Sequence, residues 1–353
     1  MSDTMHDPGF QGFVCELSGE PVSAAECLAC AQAGAPGCNY GTPAVIAGIA
    51  NNMRTPNFSL AAVQQKREDI AFDFGFSATE LLGCPRKKRL IQQYPWWEKP
   101  SALYWAFRGT MMHSAAEKYA GDNPFALVED RLFWFLRFSG KVIGLSGAPD
   151  LLVYDPQLGG WKLIDYKTIK QVRTSLHRHI CPATGNTMSD MPFPVRGKQM
   201  YCKWCDEKHP KNELTIVKVP FQPRGSHREQ MQIYSILVEK NAATLAEAAN
   251  AQLRAAGRDD VVPPNAAVIG AELIYMDMSR MIRLDVDIWS YKDRLAFLKR
   301  KLAAAIMPDL PPVLTDPDQT WQCKYCPVAT TCEGLTQIDE VFDEEKALEE
   351  LGF

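Results

Sequence analysis

Gly147-Ala-Pro-Asp150 and Ile164-Asp165-Tyr166-Lys167 flank the turn sequence Asp155-Pro-Gln-Leu-Gly-Gly160. The midpoint between positions 150 and 165 falls inside that turn. A symmetric turn sets Asp150 opposite Asp165 across an antiparallel hairpin. Side chains two apart on a strand share a face, so Lys167 joins them. Two carboxylates and an ammonium on one sheet face are poor core material. They suit a hard divalent cation, Mg²⁺ or Mn²⁺, and an activated water.

Outward from this hairpin, Leu127–Phe138, a turn at Ser139-Gly140 and Val142–Leu145 read as a strand meander. A helix is predicted over 101–120. On it His113 and Glu117 fall four apart on one face, and an imidazole beside the carboxylates favours Mn²⁺ or a transition metal. Ser77-Ala-Thr-Glu80 is a capping box opening a short helix, and Pro85 starts a second. Downstream, a helix over His227–Lys240 puts Gln230 and Tyr234 on one face, an amide and a phenol able to meet a phosphate or brace Lys167. Further helices are predicted over Ala242–Ala256, Tyr291–Ile306 and 339–351, and strands over Val268–Met278 and Met281–Ile288.

The eleven cysteines fall into spaced groups. Cys15, Cys27, Cys30 and Cys38 resemble a zinc module around one Cys-x-x-Cys, in a segment with little apolar content of its own. Cys181, Cys202 and Cys205, with His209, His179 or His177 as fourth ligand, would close a second zinc site. Cys323, Cys326 and Cys332 lack a local fourth ligand, and Cys84 is the one cysteine outside the other groups. Four thiolates suit zinc and an iron–sulfur cluster equally.

No apolar run approaches the roughly 20 residues that span a bilayer, and MSDTMHDPGF shows no secretory pattern. The expectation is a cytoplasmic protein with reduced, metal-binding thiols and no membrane partner. A net charge of -4 argues against a protein that coats nucleic acid by bulk charge. It leaves room for a local basic groove, built from Arg86–Arg89, Lys167–His179 or Arg196–Lys211, with Trp96, Trp97 or Tyr104 as base-stacking candidates.

The order His113, Asp150, Asp165-x-Lys167, Gln230-x-x-x-Tyr234, bracketed by Cys84 and Cys323/Cys326/Cys332, resembles the RecB-like branch of the PD-(D/E)xK nuclease superfamily. Within it, the pattern is most similar to the CRISPR-associated iron–sulfur exonucleases. The resemblance covers about residues 75–335 and implies an α/β fold, a restriction-endonuclease-like core with a central mixed sheet flanked by helices. It implies that His113, Asp150, Asp165 and the carbonyl of Tyr166 bind Mn²⁺ or Mg²⁺, that Lys167 is catalytic, and that Gln230 and Tyr234 hold substrate. It further implies that Cys84, Cys323, Cys326 and Cys332 hold a structural 4Fe–4S cluster. The implied activity is metal-dependent hydrolysis of DNA, with single-stranded ends favoured, and the implied partners are CRISPR adaptation proteins or a helicase. A phage or repair exonuclease unrelated to CRISPR, and a non-catalytic DNA-binding scaffold, are the competing readings. The N-terminal cysteine-rich module (1–45), the connector (46–74), the cysteine- and histidine-containing insertion (171–215) and the acidic C-terminal segment (336–353) extend beyond the pattern.

Overall fold

A computed structural model describes residues 10–54, 72–104, 107–109, 111, 120, 122–128, 130–191, 199–202, 204–277, 279–314 and 320–334. The chain opens with β1 (Phe10–Val14), β2 (Pro21–Ser23), α1 (Ala24–Gln32) and α2 (Pro43–Arg54), then β3 (Phe74–Ser77), α3 (Ala78–Leu81), α4 (Pro85–Gln93) and β4 (Trp96–Glu98). The centre follows as β5 (Ala126–Val128), β6 (Leu132–Phe138), β7 (Lys141–Gly147), β8 (Leu151–Asp155) and β9 (Gly160–Thr168). The insertion contributes β10 (Ser175–Ile180), β11 (Thr187–Met191), β12 (Gln199–Cys202) and β13 (Glu207–Pro210), and β14 (Thr215–Pro220) follows it. The chain returns through α5 (Gly225–Lys240), α6 (Ala242–Ala255), β15 (Val268–Met276), β16 (Met281–Val286), α7 (Tyr291–Ile306) and α8 (Ala329–Gly334).

The main sheet runs β16-β15-β9-β8-β5, and a second runs β3-β7-β6. In the main sheet β9 and β15 pair in parallel while the other neighbours are antiparallel. A parallel pair needs a long crossover, supplied here by the insertion, α5 and α6. The two sheets share α5, which is buried at every position from Gln230 to Val238. A helix enclosed on all sides belongs to a core rather than a surface. Trp161, Leu163, Ile143, Leu145, Ile233, Leu237, Tyr275 and Leu298 belong to the same buried cluster. The architecture is mixed α/β, with several mixed sheets flanked by helices.

One local reading needs revision, and two regions add structure the sequence did not specify. Leu127–Phe138 is two strands rather than one, and β5 and β6 belong to different sheets. The insertion, which lacks any clear period in sequence, forms four short strands that, with β14 just after it, make a three-stranded sheet and a hairpin. The N-terminal segment gathers a small core of its own, in which Phe13 packs with Ile46 and Ile49 of α2. It is tied onward by the parallel pairing of β1 with β4, so its packing runs past residue 45. The capping box at Ser77 and Glu80 and the helix start at Pro85 are both present as expected. Among the described residues, no helix is long and apolar enough to cross a membrane.

Candidate functional site

The turn between β8 and β9 closes as its sequence requires. The Asp155 carboxylate accepts from the Gln157 and Leu158 N–H groups at 2.8 and 3.0 Å. Gly159 takes a φ of +69°, a conformation that suits a residue without a Cβ. The resulting register pairs Leu151 with Ile164, which sets Asp150 opposite Asp165 one step beyond the ladder. Both carboxylates are buried, at 7% and 2% exposure.

The side chains expected to cooperate form a connected polar chain. Lys167 Nζ lies 2.6 Å from Asp165 Oδ2 and donates to Gln230 Oε1 at 2.9 Å. Gln230 Nε2 donates to Tyr234 Oη at 2.7 Å. The Tyr166 N–H donates to Asp150 Oδ2 at 2.6 Å, so Tyr166, expected to contribute its carbonyl, is also engaged through its amide. Burial, and then the Asp165 and Asp150 charges, push the Tyr234 phenol well above its ordinary pKa. It therefore stays protonated at neutral pH. Gly147 explains why the motif begins with glycine: a Cβ there would stand 2.7 Å from the Tyr234 ring and 2.8 Å from Leu237. Two carboxylates on facing strands offer the oxygen ligands a hard divalent cation takes. His113 and Glu117 lie outside the described residues.

Sequence reading missed His227 and Tyr275. Tyr275 is the β15 partner of Lys167 in the parallel register. Its hydroxyl contacts His227 Nδ1 at 2.7 Å and accepts from the Arg224 N–H at 3.0 Å. Burial, with Lys167 and Arg224 nearby, lowers the His227 pKa to about 3, so its imidazole is neutral. The signal was present in the spacing, since His227 precedes Gln230 and Tyr234 by three and seven residues on the same face of α5.

A second site lies in the insertion. Cys181, at the end of β10, faces the hairpin of β12 and β13, which brings Cys202, Cys205 and His209. The ligand atoms of these four residues all lie within 4.8 Å of one another. Cys181 Sγ is 3.8 Å from Cys205 Sγ and 3.4 Å from His209 Nε2, and Cys205 Sγ is 3.0 Å from the same nitrogen. A tetrahedral ion with ordinary sulfur and nitrogen bonds spaces its ligands by about 3.5–3.8 Å. This group could hold a metal ion. Of the three candidate histidines, His209 joins the thiols, while His177 and His179 lie along β10 opposite Lys218 and Ile216 of β14.

The other cysteines gather more loosely; among the described residues, only the insertion group meets the 4.8 Å spacing. The Cys27 thiol is pushed up to about 11 by burial and by the Cys38, Cys30 and Cys15 sulfurs, which places the N-terminal four in one neighbourhood. Cys84 caps α4, its Sγ accepting from the Lys87 N–H at 3.4 Å. Burial raises its pKa, with Cys326 and Cys323 adding to the effect. Cys326 and Cys332 pack against Leu90 of α4 and Val328. Cys84, Cys326 and Cys332 are half-buried and Cys323 is exposed.

Of the proposed base-stacking residues, Trp96 is buried against Phe10, ring centroids 5.0 Å apart, and Tyr104 packs edge-on to Tyr40 at 5.6 Å. Trp96 is committed to packing because β4 joins the N-terminal sheet, and Tyr104 because it packs on the N-terminal core.

No protein-family model matches the chain, and no curated protein matches it. Among solved structures, one described as "Crystal structure of SSO0001" is similar, with 17% identity over 78% of this chain and 93% of that one, and a TM-score of 0.45.

Proposed function

We propose that this chain is a metal-dependent DNA nuclease of the PD-(D/E)xK type, cutting phosphodiester bonds at the β8–β9 hairpin. The carrying observation is the connected set Asp165–Lys167–Gln230–Tyr234 with Asp150 opposite Asp165. Asp150 and Asp165 would hold Mn²⁺ or Mg²⁺, with His113 as a further ligand. Such a cation supplies charge neutralisation at the phosphate and a lower pKa for the attacking water. Lys167, fixed between Asp165 and Gln230, is aimed to meet the negative charge that builds on the phosphate. Tyr234 keeps Gln230 in line, and Gln230 keeps the ammonium from swinging away. We assign a 4Fe–4S cluster to Cys84, Cys323, Cys326 and Cys332, and zinc to the insertion group and to Cys15, Cys27, Cys30 and Cys38.

The test is cleavage of end-labelled single-stranded DNA with Mn²⁺ by wild type, Asp165→Ala and Lys167→Ala. Each variant is expected to lose at least about 10²-fold in rate. Unchanged cutting by both variants removes the assignment, and pure wild type that never cuts favours a DNA-binding scaffold. For the cluster, anaerobically purified protein should be brown and carry iron; colourless protein with zinc alone refutes it.

A further inference from the structure

A cleft of about 740 Å³ is lined in part by the Lys167–His179 stretch, one of the three sequence candidates for a basic groove, and in part by residues 220–228, which no motif assigns. Its walls carry Lys170, Arg173, Arg178, Arg224 and Arg228, and no Asp or Glu is among the described residues that line it. In a chain whose net charge is -4, such a concentration of one sign is a local departure. The cleft begins at Ile169, two residues beyond Lys167. Phe221, which lines it, packs edge-on to Tyr275 at 5.2 Å, and Tyr275 in turn pairs with Lys167. Arg178 comes from β10 of the insertion, and Arg224 and Arg228 come from the start of α5. The cations thus converge from three segments onto one concave surface, whose lining starts two residues past Lys167 in the chain.

We propose that this cleft binds the backbone phosphates of the nucleic-acid strand running to the Asp150–Asp165 site. The identity of the ligand as nucleic acid rests on the nuclease reading; the anion-binding chemistry rests on the cleft itself. The recognition is of charge rather than sequence, because arginine and lysine on phosphate carry no base information.

The test uses fluorescent oligothymidylate and full-length protein without divalent cation, so that binding is read apart from cutting. Lys170, Arg224 and Arg228 are exposed, so their replacement spares the core. The triple variant Lys170→Ala/Arg224→Ala/Arg228→Ala should bind roughly tenfold or more weaker, and its slope of log affinity against log salt should be shallower by about 2. Arg254→Ala, an exposed control on α6, should bind as wild type does. Arg228→Glu alone should weaken binding in the same direction, which keeps the test alive if the triple variant misfolds. Wild-type affinity and slope in the triple variant or, should it misfold, in Arg228→Glu overturn the proposal, as does failure of wild type to bind. A chain that binds through the cleft yet never cuts overturns the nuclease reading alone. One that cuts while the charge variants bind normally overturns the cleft alone.

Discussion

Asp150 and Asp165 are aligned by a sheet whose core includes Trp161, Leu163 and Leu273. Cys181, Cys202, Cys205 and His209 sit on a cluster of four buried residues, and two of those, Cys181 and Cys202, belong to the ligand set. The first region has its geometry imposed by packing that exists without any ion. The second has so little apolar material that its ligands are half of its buried core. An ion would therefore be an accessory to shape at the hairpin and a large part of the shape in the insertion.

The contrast is sharpest when the insertion loses a ligand. Cys202→Ala should abolish one equivalent of bound metal and release a closed loop in which Cys181 and His209 lie 28 positions apart. A cross-link over a loop of that size is worth about 3.5 kcal/mol on chain-entropy grounds. Limited proteolysis should then cut within 181–215 while the main melting transition stays near its wild-type temperature. A fall of the whole transition would show that the two regions are not separable. Because β10 carries Arg178 into the cleft, weaker oligonucleotide binding should accompany the cutting.

Gly147→Ala probes the other region. The added methyl meets Tyr234 and Leu237 inside a packed core, and overpacking of this kind costs about 1–3 kcal/mol. The midpoint of urea unfolding should drop while metal content of the insertion is unchanged.

His227 gives the same core a dependence on pH. Its folded pKa of about 3 lies below the ordinary histidine value. Above about pH 6.5 both folded and unfolded chains carry it neutral, and it has no effect. As pH falls from there toward 3, the unfolded chain takes a proton that the folded one refuses, so stability is lost. By about pH 5 wild type should lose about 1–2 kcal/mol more than His227→Gln does. Equal losses in the two proteins would remove the assignment.

The smallest expected effect is at Tyr234→Phe. It deletes one buried hydrogen bond to Gln230 and should cost about 1 kcal/mol, with a modest loss of cutting rate and no change in insertion metal.

The hairpin was legible because its turn residues and the symmetric spacing of Asp150 and Asp165 fix the register locally. Gln230 and Tyr234 were legible through helical spacing, although their meeting with Lys167 bridges 63 positions. Tyr275 was not, since its approach depends on β15 pairing in parallel with β9, a long-range match that no local period encodes. The insertion hid its strands for a different reason. Short, polar, two-sided strands carry no apolar alternation, and only the cysteine spacing pointed to order there. The N-terminal segment reads as poor in apolar residues when cut at position 45, and its core becomes visible only when Ile46 and Ile49 are counted with Phe13.

The arginines of α4 carry a consequence for synthesis. Arg86 donates to the Pro311 carbonyl at 2.8 Å, and Arg89 donates to that of Met307. An early helix is thereby latched by carbonyls that leave the ribosome more than two hundred residues later. While the nascent chain elongates, α4 must wait undocked with its apolar side, including Leu90, uncovered. Chaperone capture during translation should therefore be most intense over this stretch, and should end only when the tail beyond α7 has emerged.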